Sequence, residues 1–231
     1  FFFAGRGTTP PIPGDRSIAT LEKVRIGNAD QWLLIRGHDR GNPVLLFLHG
    51  GPGMPAMFLA HAFQRELERH FVVVQWDRRG TGKSHAAGAD LASLNVRQLL
   101  DDTLEVTRVL QTRFGQPRIY LVAHSWGTYL GLLAIHEHPE NYLAYVGIGQ
   151  MAGSGKEVRE AQLRFVEQSA RRAGDQETLR LLQTRGRVSE EMLFKHHGEL
   201  LESTSFLPIL LTGLRAPEYT FTDALRVKPA A

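Results

Sequence analysis

The sequence predicts an α/β protein in which helices flank a mostly parallel β-sheet. Three continuous apolar runs have the length and composition of strands that are buried on both faces. They are VLLFLH (44–49), FVVVQW (71–76) and RIYLVAH (118–124). Helical patterns alternate with these runs along the chain, and such alternation is typical of a parallel sheet that is covered by helices on both sides.

A β-hairpin is predicted before the first buried strand. The segments LEKVRIG (21–27) and QWLLIRG (31–37) alternate apolar and polar side chains on either side of the turn-like residues 28–30. A helical stretch near residues 57–69 then separates the first two buried strands. The chain therefore reaches its second buried strand through a helix, as a parallel pair requires.

Capping and helix-ending residues mark the limits of the next helices. Asn95 and Gln98 resemble a capping box, and Gly115 ends the helix that they begin. Another helix follows the third buried strand and ends before Pro139, which cannot continue it. The run YVGIG (145–149) is predicted to be a fourth buried strand.

The pattern changes near Gly153. From Lys156 to Thr204 the sequence is charged and helical, and no further buried strand is predicted. We therefore predict an α/β core over residues 1–153 and a helical cap over residues 154–231 that lies over the sheet.

Composition excludes several function classes. The 231 residues carry a net charge of +3, and basic and acidic residues alternate between positions 154 and 200. The clustered basic face that nucleic-acid binding needs is therefore not expected. The chain has no cysteine, which excludes disulfides, thiolate catalysis and cysteine metal sites.

The sequence leaves the location of the protein open. It contains no run of eighteen apolar residues, so no membrane span is expected in the residues given. Residues 1–5 (FFFAG) are either the end of an upstream apolar segment or an arbitrary start. The first interpretation implies an exported or anchored protein, and the second is compatible with the cytoplasm.

The stretch VAHSWGTYLG (122–131) places Ser125 where a buried strand turns into a helix. This is the context of a nucleophile elbow, in which a tight turn exposes the serine hydroxyl above the strand ends. Gly127 and Ala123 supply the small residues that the close helix–strand contact needs. The N–H of Trp126, at the helix N-terminus, is then placed to bind a developing oxyanion. The alternative is a serine that only caps the helix.

The loop HGGPG (49–53) follows the first buried strand directly. A second oxyanion donor must come from this loop, and glycine lets the backbone approach a substrate closely. We assign this donor to Gly51. The alternative interpretation of this loop is a tight turn without a catalytic role.

The motif DRRGTGKS (77–84) ends in GKS and so resembles a phosphate-binding loop. Such a loop needs a glycine where this chain has Asp77. We therefore predict a turn that Asp77 and the two arginines fix by hydrogen bonds, and a nucleotide-binding protein is the weakest of our hypotheses.

Together the motifs HGGPG, WDRRGTGKS and HSWG resemble the prolyl aminopeptidase (proline iminopeptidase) branch of the α/β-hydrolases, where the patterns are HGGPG, WDQRGxGxS and GxSWG. The resemblance implies a serine hydrolase with the α/β-hydrolase fold and a helical cap, which works without a cofactor or metal on a peptide, amide, ester or lactone. It implies Ser125 as nucleophile, and Gly51 and Trp126 as the oxyanion hole. It also argues against the epoxide-hydrolase branch, whose nucleophile would be an aspartate.

The activating residues of this fold should follow the serine in the order acid, then histidine, each after a later strand. The candidates after Ser125 do not meet this requirement; they are His136, His138, His196, His197, Asp175 and Asp223. Before it, His124 is predicted to pack at the strand end, and His49 to fix the oxyanion loop.

Truncation would explain this absence. Two further strand–helix units would need on the order of 60 residues beyond Ala231. We therefore predict an amino-terminal part of a serine hydrolase, without its last strands and inactive by itself. The alternative is a hydrolase-fold protein that has lost its triad and uses the pocket to bind a ligand.

Overall fold

The computed structural model describes residues 7–51, 53–85, 94–151, 155–196, 211–220 and 222–223. The chain divides into two compact units. The first consists of Phe1–Met151 together with Ile209–Ala231, and the second of Ala152–Pro208. The described residues after position 210 are thus grouped with the first unit, whereas the sequence pattern had assigned them to the cap. Tyr219 accounts for this grouping, because it packs in one buried cluster with Leu34 and Met57 of the first unit.

The first unit is built on a mixed six-stranded sheet in the order β1-β2-β4-β3-β5-β6. Its strands are β1 (Ile18–Ile26), β2 (Ala29–Gly37), β3 (Val44–Leu48), β4 (Val72–Asp77), β5 (Ile119–His124) and β6 (Tyr142–Ile148). The β1–β2 hairpin and the β2–β4 pair are antiparallel, and the other three pairs are parallel. The predicted fold class, the hairpin and the first three strands are confirmed. Strands β3 and β4 are buried as predicted, whereas one face of β5 is only half-buried.

The α-helices are α1 (Ala60–Phe63), α2 (Val96–Phe114), α3 (Gly127–Glu137), α4 (Gly155–Ala173), α5 (Gln176–Arg185) and α6 (Glu190–His196). The predicted caps of α2 are confirmed. The Asn95 side chain accepts from the Gln98 N–H at 2.9 Å, and Gly115 ends the helix with a left-handed φ of 63°. The helical stretch predicted near 57–69 consists of α1 between two short 3₁₀ segments.

Strand β6 corrects one expectation. Residues 145–148 do form the second half of this strand, but they are not buried: Val146 is 53% exposed and Ile148 is 47% exposed. Among the described residues β6 pairs only with β5, so it lies at an edge of the sheet and its side chains lack a second neighbour. An apolar strand composition therefore did not imply burial here.

The second unit is helical over its described residues. Helices α4, α5 and α6 pack around Val166, Leu182 and Met192. Asp175 caps α5 by accepting from the Thr178 N–H at 3.1 Å, and its carboxylate also accepts from Lys195 at 2.8 Å.

The parallel strands of the first unit determine where the candidate site lies. Strands β3, β4 and β5 are neighbours and run in the same direction, so their carboxyl ends meet at one edge of the sheet. The loops that leave them begin at His49, Arg78 and Ser125. The three sequence motifs are therefore brought together, at the edge where open α/β sheets bind their ligands.

Candidate active site

Ser125 has the backbone geometry of a sharp strand-to-helix turn. It directly follows β5, and its φ of 51° lies in the left-handed region that side chains other than glycine seldom adopt. The turn is held at both ends, because the Ser125 N–H donates to Ile148 O at 2.8 Å and its carbonyl accepts from the Thr128 N–H at 2.9 Å. Such strain is characteristic of functional sites.

The capping alternative for Ser125 does not fit this geometry. The residue at the N-cap of α3 is Trp126, and no side chain caps this helix. Within the described part of the chain, the Ser125 hydroxyl forms no hydrogen bond, and the residue is half-buried. The hydroxyl is therefore free of a structural partner among these residues.

Two glycines of α3 allow the helix to begin so close to the sheet. A Cβ at Gly127 would lie 2.5 Å from the carbonyl oxygens of both Leu48 and His49. A Cβ at Gly131 would lie 3.2 Å from the Ala123 methyl. The fully buried Ala123 is thus accommodated because the helix residue that faces it, Gly131, has no side chain. This contact could not be predicted from the sequence.

The loop after β3 contacts the elbow. A Cβ on Gly50 would lie 3.0 Å from the Ser125 Cβ, and Gly51 adopts a φ of 117°, which favours glycine. No described residue accepts a hydrogen bond from the backbone N–H of Gly51 or Trp126. The structure thus brings the loop that carries one predicted oxyanion donor against the serine that precedes the other.

His49 is a structural residue of this loop. It is 1% exposed, its Nε2 accepts from the Nε–H of Arg78 at 3.2 Å, and its Nδ1 lies 2.9 Å from Gly50 O. Because Nε2 acts as an acceptor, a neutral ring holds its proton on Nδ1, which then donates to Gly50 O; the 3.0 Å approach of Arg78 Nη2 to Nδ1 is in that case not a hydrogen bond. Burial and then the Arg78 charge hold the pKa of His49 well below its usual value. A neutral ring with both nitrogens engaged fits the predicted role of fixing the loop.

The other described histidines form no hydrogen bond with Ser125. His124 lies beside it at the end of β5 but is exposed, so the prediction that it packs there is wrong. His138 at the end of α3 lies 2.9 Å from Glu140. In the second unit, His196 lies 3.0 Å from the Asp175 carboxylate. His197 lies outside the described residues, and Asp223 accepts from Lys83 at 2.7 Å.

The turn after β4 does not form a phosphate cradle. Its carboxylate, Asp77, is fully buried and accepts from the Lys83 N–H at 2.8 Å and from the Tyr219 hydroxyl. A Cβ on Gly82 would lie 2.2 Å from that carboxylate. An acidic side chain thus occupies the position in which a phosphate-binding loop would hold its anion. Burial raises the pKa of Asp77 to about 7.

We expect Asp77 to make the stability of the protein depend on pH. Because its pKa is raised in the folded state, this carboxyl keeps a proton that the unfolded chain releases, so its contribution to stability is lost as pH rises from about 4 to about 7. Asp77→Asn removes this titration. When pH rises from 5 to 8, the unmodified protein should lose about 1–3 kcal/mol of unfolding free energy through this carboxyl, and the variant should not show this loss. Urea unfolding at both pH values measures this, and parallel pH profiles would contradict it.

The described residues contain neither a metal site nor a membrane span. No group of three or more His, Asp or Glu side chains in this part of the chain is arranged to hold a metal ion. None of its helices combines the length and the apolar character that crossing a bilayer needs.

A family model described as the alpha/beta hydrolase fold matches residues 43–206. The chain belongs to this family. The match contains the loop after β3, the turn after β4 and the Ser125 elbow. The fold that the three motifs predicted is therefore confirmed.

Named relatives agree with the resemblance seen in the motifs. Over 140 residues the chain is 41% identical to the probable aminopeptidase YbaC of Bacillus subtilis, covering 61% of this chain and 44% of the relative. Two relatives are 29% identical. The match to the proline iminopeptidase of Chitinophaga pinensis covers 68% of this chain and 46% of that protein. The match to epoxide hydrolase 4 of Mus musculus covers 63% of this chain and 39% of that protein. The chain thus spans less than half the length of the curated relatives it matches.

A solved structure also resembles the chain. The proline iminopeptidase-related protein from Thermus thermophilus superposes with a TM-score of 0.54 and 26% identity, over 77% of this chain and 59% of that protein. The predicted resemblance to the proline iminopeptidase branch is confirmed by these relatives.

Proposed function

We propose that this α/β-hydrolase is a serine hydrolase whose nucleophile is Ser125. The observation that carries the proposal is the left-handed backbone of a half-buried serine at the β5–α3 turn, with its hydroxyl free of described partners. A strained turn of this kind presents the hydroxyl to a substrate at the carboxyl edge of the sheet. Attack by the Ser125 oxygen on a carbonyl carbon would form a tetrahedral anion.

The N–H groups of Gly51 and Trp126 would stabilise that anion. Neither N–H has an acceptor among the described residues, and the loop of the first lies against the serine that precedes the second. Two fixed donors favour the anionic transition state over the neutral carbonyl. This chemistry requires no cofactor.

A serine hydroxyl needs a histidine to take its proton and an acid to orient that histidine. The described histidines form no hydrogen bond with Ser125, and His49 on the oxyanion loop is neutral and engaged with Arg78 and Gly50. We therefore propose that the 231 residues by themselves are inactive. The match covers only 44% of the YbaC relative, and the part of such a protein outside the match is where this pair would lie.

The proposed substrates are peptides or amides with a free N-terminus, or esters. The names of the two aminopeptidase relatives and of the Thermus protein favour the first class. Assays with amino-acid p-nitroanilides, proline among them, and with p-nitrophenyl esters would separate these classes. A serine at the elbow disfavours epoxide hydrolysis, for which the family resemblance implies an aspartate nucleophile.

We further propose that the helical second unit, whose helices α4–α6 lie within residues 155–196, acts as a cap that selects the substrate.

A non-catalytic ligand-binding protein remains the alternative function. The free donors of Gly51 and Trp126 favour the hydrolase, because a simple binding pocket has no need for an oxyanion hole.

A fluorophosphonate probe tests the proposal, because it labels activated serines without needing the correct substrate. We expect stoichiometric labelling of Ser125 in the protein at its full natural length, located by peptide mass spectrometry, and little labelling of the 231 residues alone. Rapid labelling of the short chain would show that a base lies within it. Labelling of a different serine in the full-length protein would remove Ser125 from the mechanism.

A further inference from the structure

The side chain of Arg78 is buried without a carboxylate. It follows β4 directly and is 1% exposed, and no ion pair with it is formed in the described part of the chain. Its neighbour Arg79 has the usual arrangement, with Asp102 at 2.9 Å. Burying an uncompensated charge is costly, so a side chain held in this way needs a compensating role.

The contacts of Arg78 lie on the oxyanion loop. Its Nη2 donates to the carbonyl oxygen of His49 at 2.7 Å and to that of Gly50 at 3.1 Å. The ring of His49 supplies a further acceptor for its Nε–H. Its Nη1 is buried and has no hydrogen-bond partner among the described residues, so the positive charge is only partly compensated.

The bond to Gly50 O determines where the next N–H points. The carbonyl of Gly50 and the N–H of Gly51 belong to one planar trans peptide unit, so they point in opposite directions. When Arg78 and His49 hold the carbonyl on their side, the Gly51 N–H is directed away from them. A charged donor on the carbonyl also polarises the peptide and strengthens its N–H as a donor.

Arg78 also contacts the residue that carries the second donor. Its guanidinium lies 5.3 Å from the centre of the Trp126 ring, a distance at which a cation is attracted to the face of an indole. One side chain thus bridges the loop after β3 and the first turn of α3, where both proposed oxyanion donors are found.

We propose that Arg78 is a positioning residue for the oxyanion hole, which holds the Gly50–Gly51 peptide and Trp126 in place and stabilises the anionic intermediate with its uncompensated charge. This inference rests on the proposed function, since it assigns Arg78 to the same site. Burial lowers the pKa of Arg78 to about 9, so the guanidinium is still charged at neutral pH.

The test compares three variants of the protein at its full natural length. Arg78→Gln removes the charge and shortens the donor, Arg78→Lys keeps the charge but loses the planar fork, and Arg79→Gln is the matched control. Arg79 is also largely buried, but it binds Asp102 and Gly27 rather than the oxyanion loop. Each variant is assayed for kcat and KM with an activated ester, for affinity to an alkylboronic acid, and for its melting temperature.

We expect Arg78→Gln to lower kcat by about 10–100-fold, less than the loss of a complete oxyanion donor, with KM changed by no more than about twofold. The affinity for the boronic acid, which forms a tetrahedral anion on the serine, should fall with kcat. Arg78→Lys should recover part of the loss. Arg79→Gln should lower the melting temperature while leaving kcat of the folded protein unchanged.

Two results would overturn the role of Arg78. One is an unchanged kcat in Arg78→Gln while Ser125→Ala is inactive. The other is a purely structural pattern, in which Arg78→Lys and Arg79→Gln lose activity in proportion to their folded fraction. If Ser125→Ala itself keeps the activity of the unmodified protein, the proposed function fails instead, and the two failures are thereby distinguished.

Discussion

Replacing Ser125 by alanine is expected to abolish hydrolysis by the full-length protein while leaving its fold intact. Loss of the nucleophile in a serine hydrolase lowers kcat by about 10⁶-fold, to the residual rate that oxyanion binding and substrate binding sustain. The fold should tolerate the change, because the Ser125 hydroxyl forms no hydrogen bond with described residues. Alanine also has the same Cβ as serine at the left-handed φ of 51°. The unfolding free energy should therefore change by about 0.5 kcal/mol or less.

The measurement is kcat with an activated ester, together with thermal unfolding of the same samples. Ser17→Ala is a matched control, because it also deletes one hydroxyl, but that hydroxyl donates to Ile12 O and Gly14 O far along the chain from the elbow. The control should keep its full activity. If Ser125→Ala retained most of the turnover, another group would have to be the nucleophile, and the backbone strain at Ser125 would need a different explanation.

The parts of the site that sequence predicts well are those encoded within a few residues. The serine elbow is one such part, because a buried strand, a serine and a small residue two positions later are the local pattern of a sharp strand-to-helix turn. The close approach of Gly127 to Leu48 O and His49 O explains why that position must be small. The caps of α2 were predictable for the same reason, since Asn95 and Gln98 are three positions apart.

Contacts between distant segments were not predictable. The Tyr219 hydroxyl binds Asp77, and Lys83 pairs with Asp223, across about 140 positions of the chain. No periodicity records such a pairing, which is why residues 154–231 were assigned as one helical cap. The described residues after position 210 instead pack with the first unit.

The role of Arg78 was missed for a related reason. Both arginines after Asp77 were expected to fix the turn. Their contacts in the fold differ, because Arg79 reaches Asp102 on α2 while Arg78 donates to the loop after β3. The signal that could have drawn attention to Arg78 is its place in WDRRGTGKS, where the family pattern has glutamine.

Changing Gly51 to valine should impair the full-length protein through the oxyanion hole. Gly51 has a φ of 117°, and a Cβ there would lie 2.3 Å from the Gly53 nitrogen and 2.6 Å from the Met54 nitrogen. These neighbours are backbone atoms, so the loop must move and carry the Gly51 N–H with it. Because the loss of one oxyanion donor costs about 10²–10³ in kcat, we expect a fall of that size for a small activated ester.

Gly14→Val separates this effect from backbone strain alone. Gly14 has a similar φ of 114°, but a Cβ there would meet nothing within 4 Å, so the variant carries the strain without disturbing the loop after β3. It should lose stability and keep its turnover. Because the ester is small, steric exclusion of the substrate contributes little, and a lower kcat with a nearly constant KM would indicate a lost transition-state interaction. An unchanged kcat in Gly51→Val would mean that the second donor is a different N–H of the 49–53 loop.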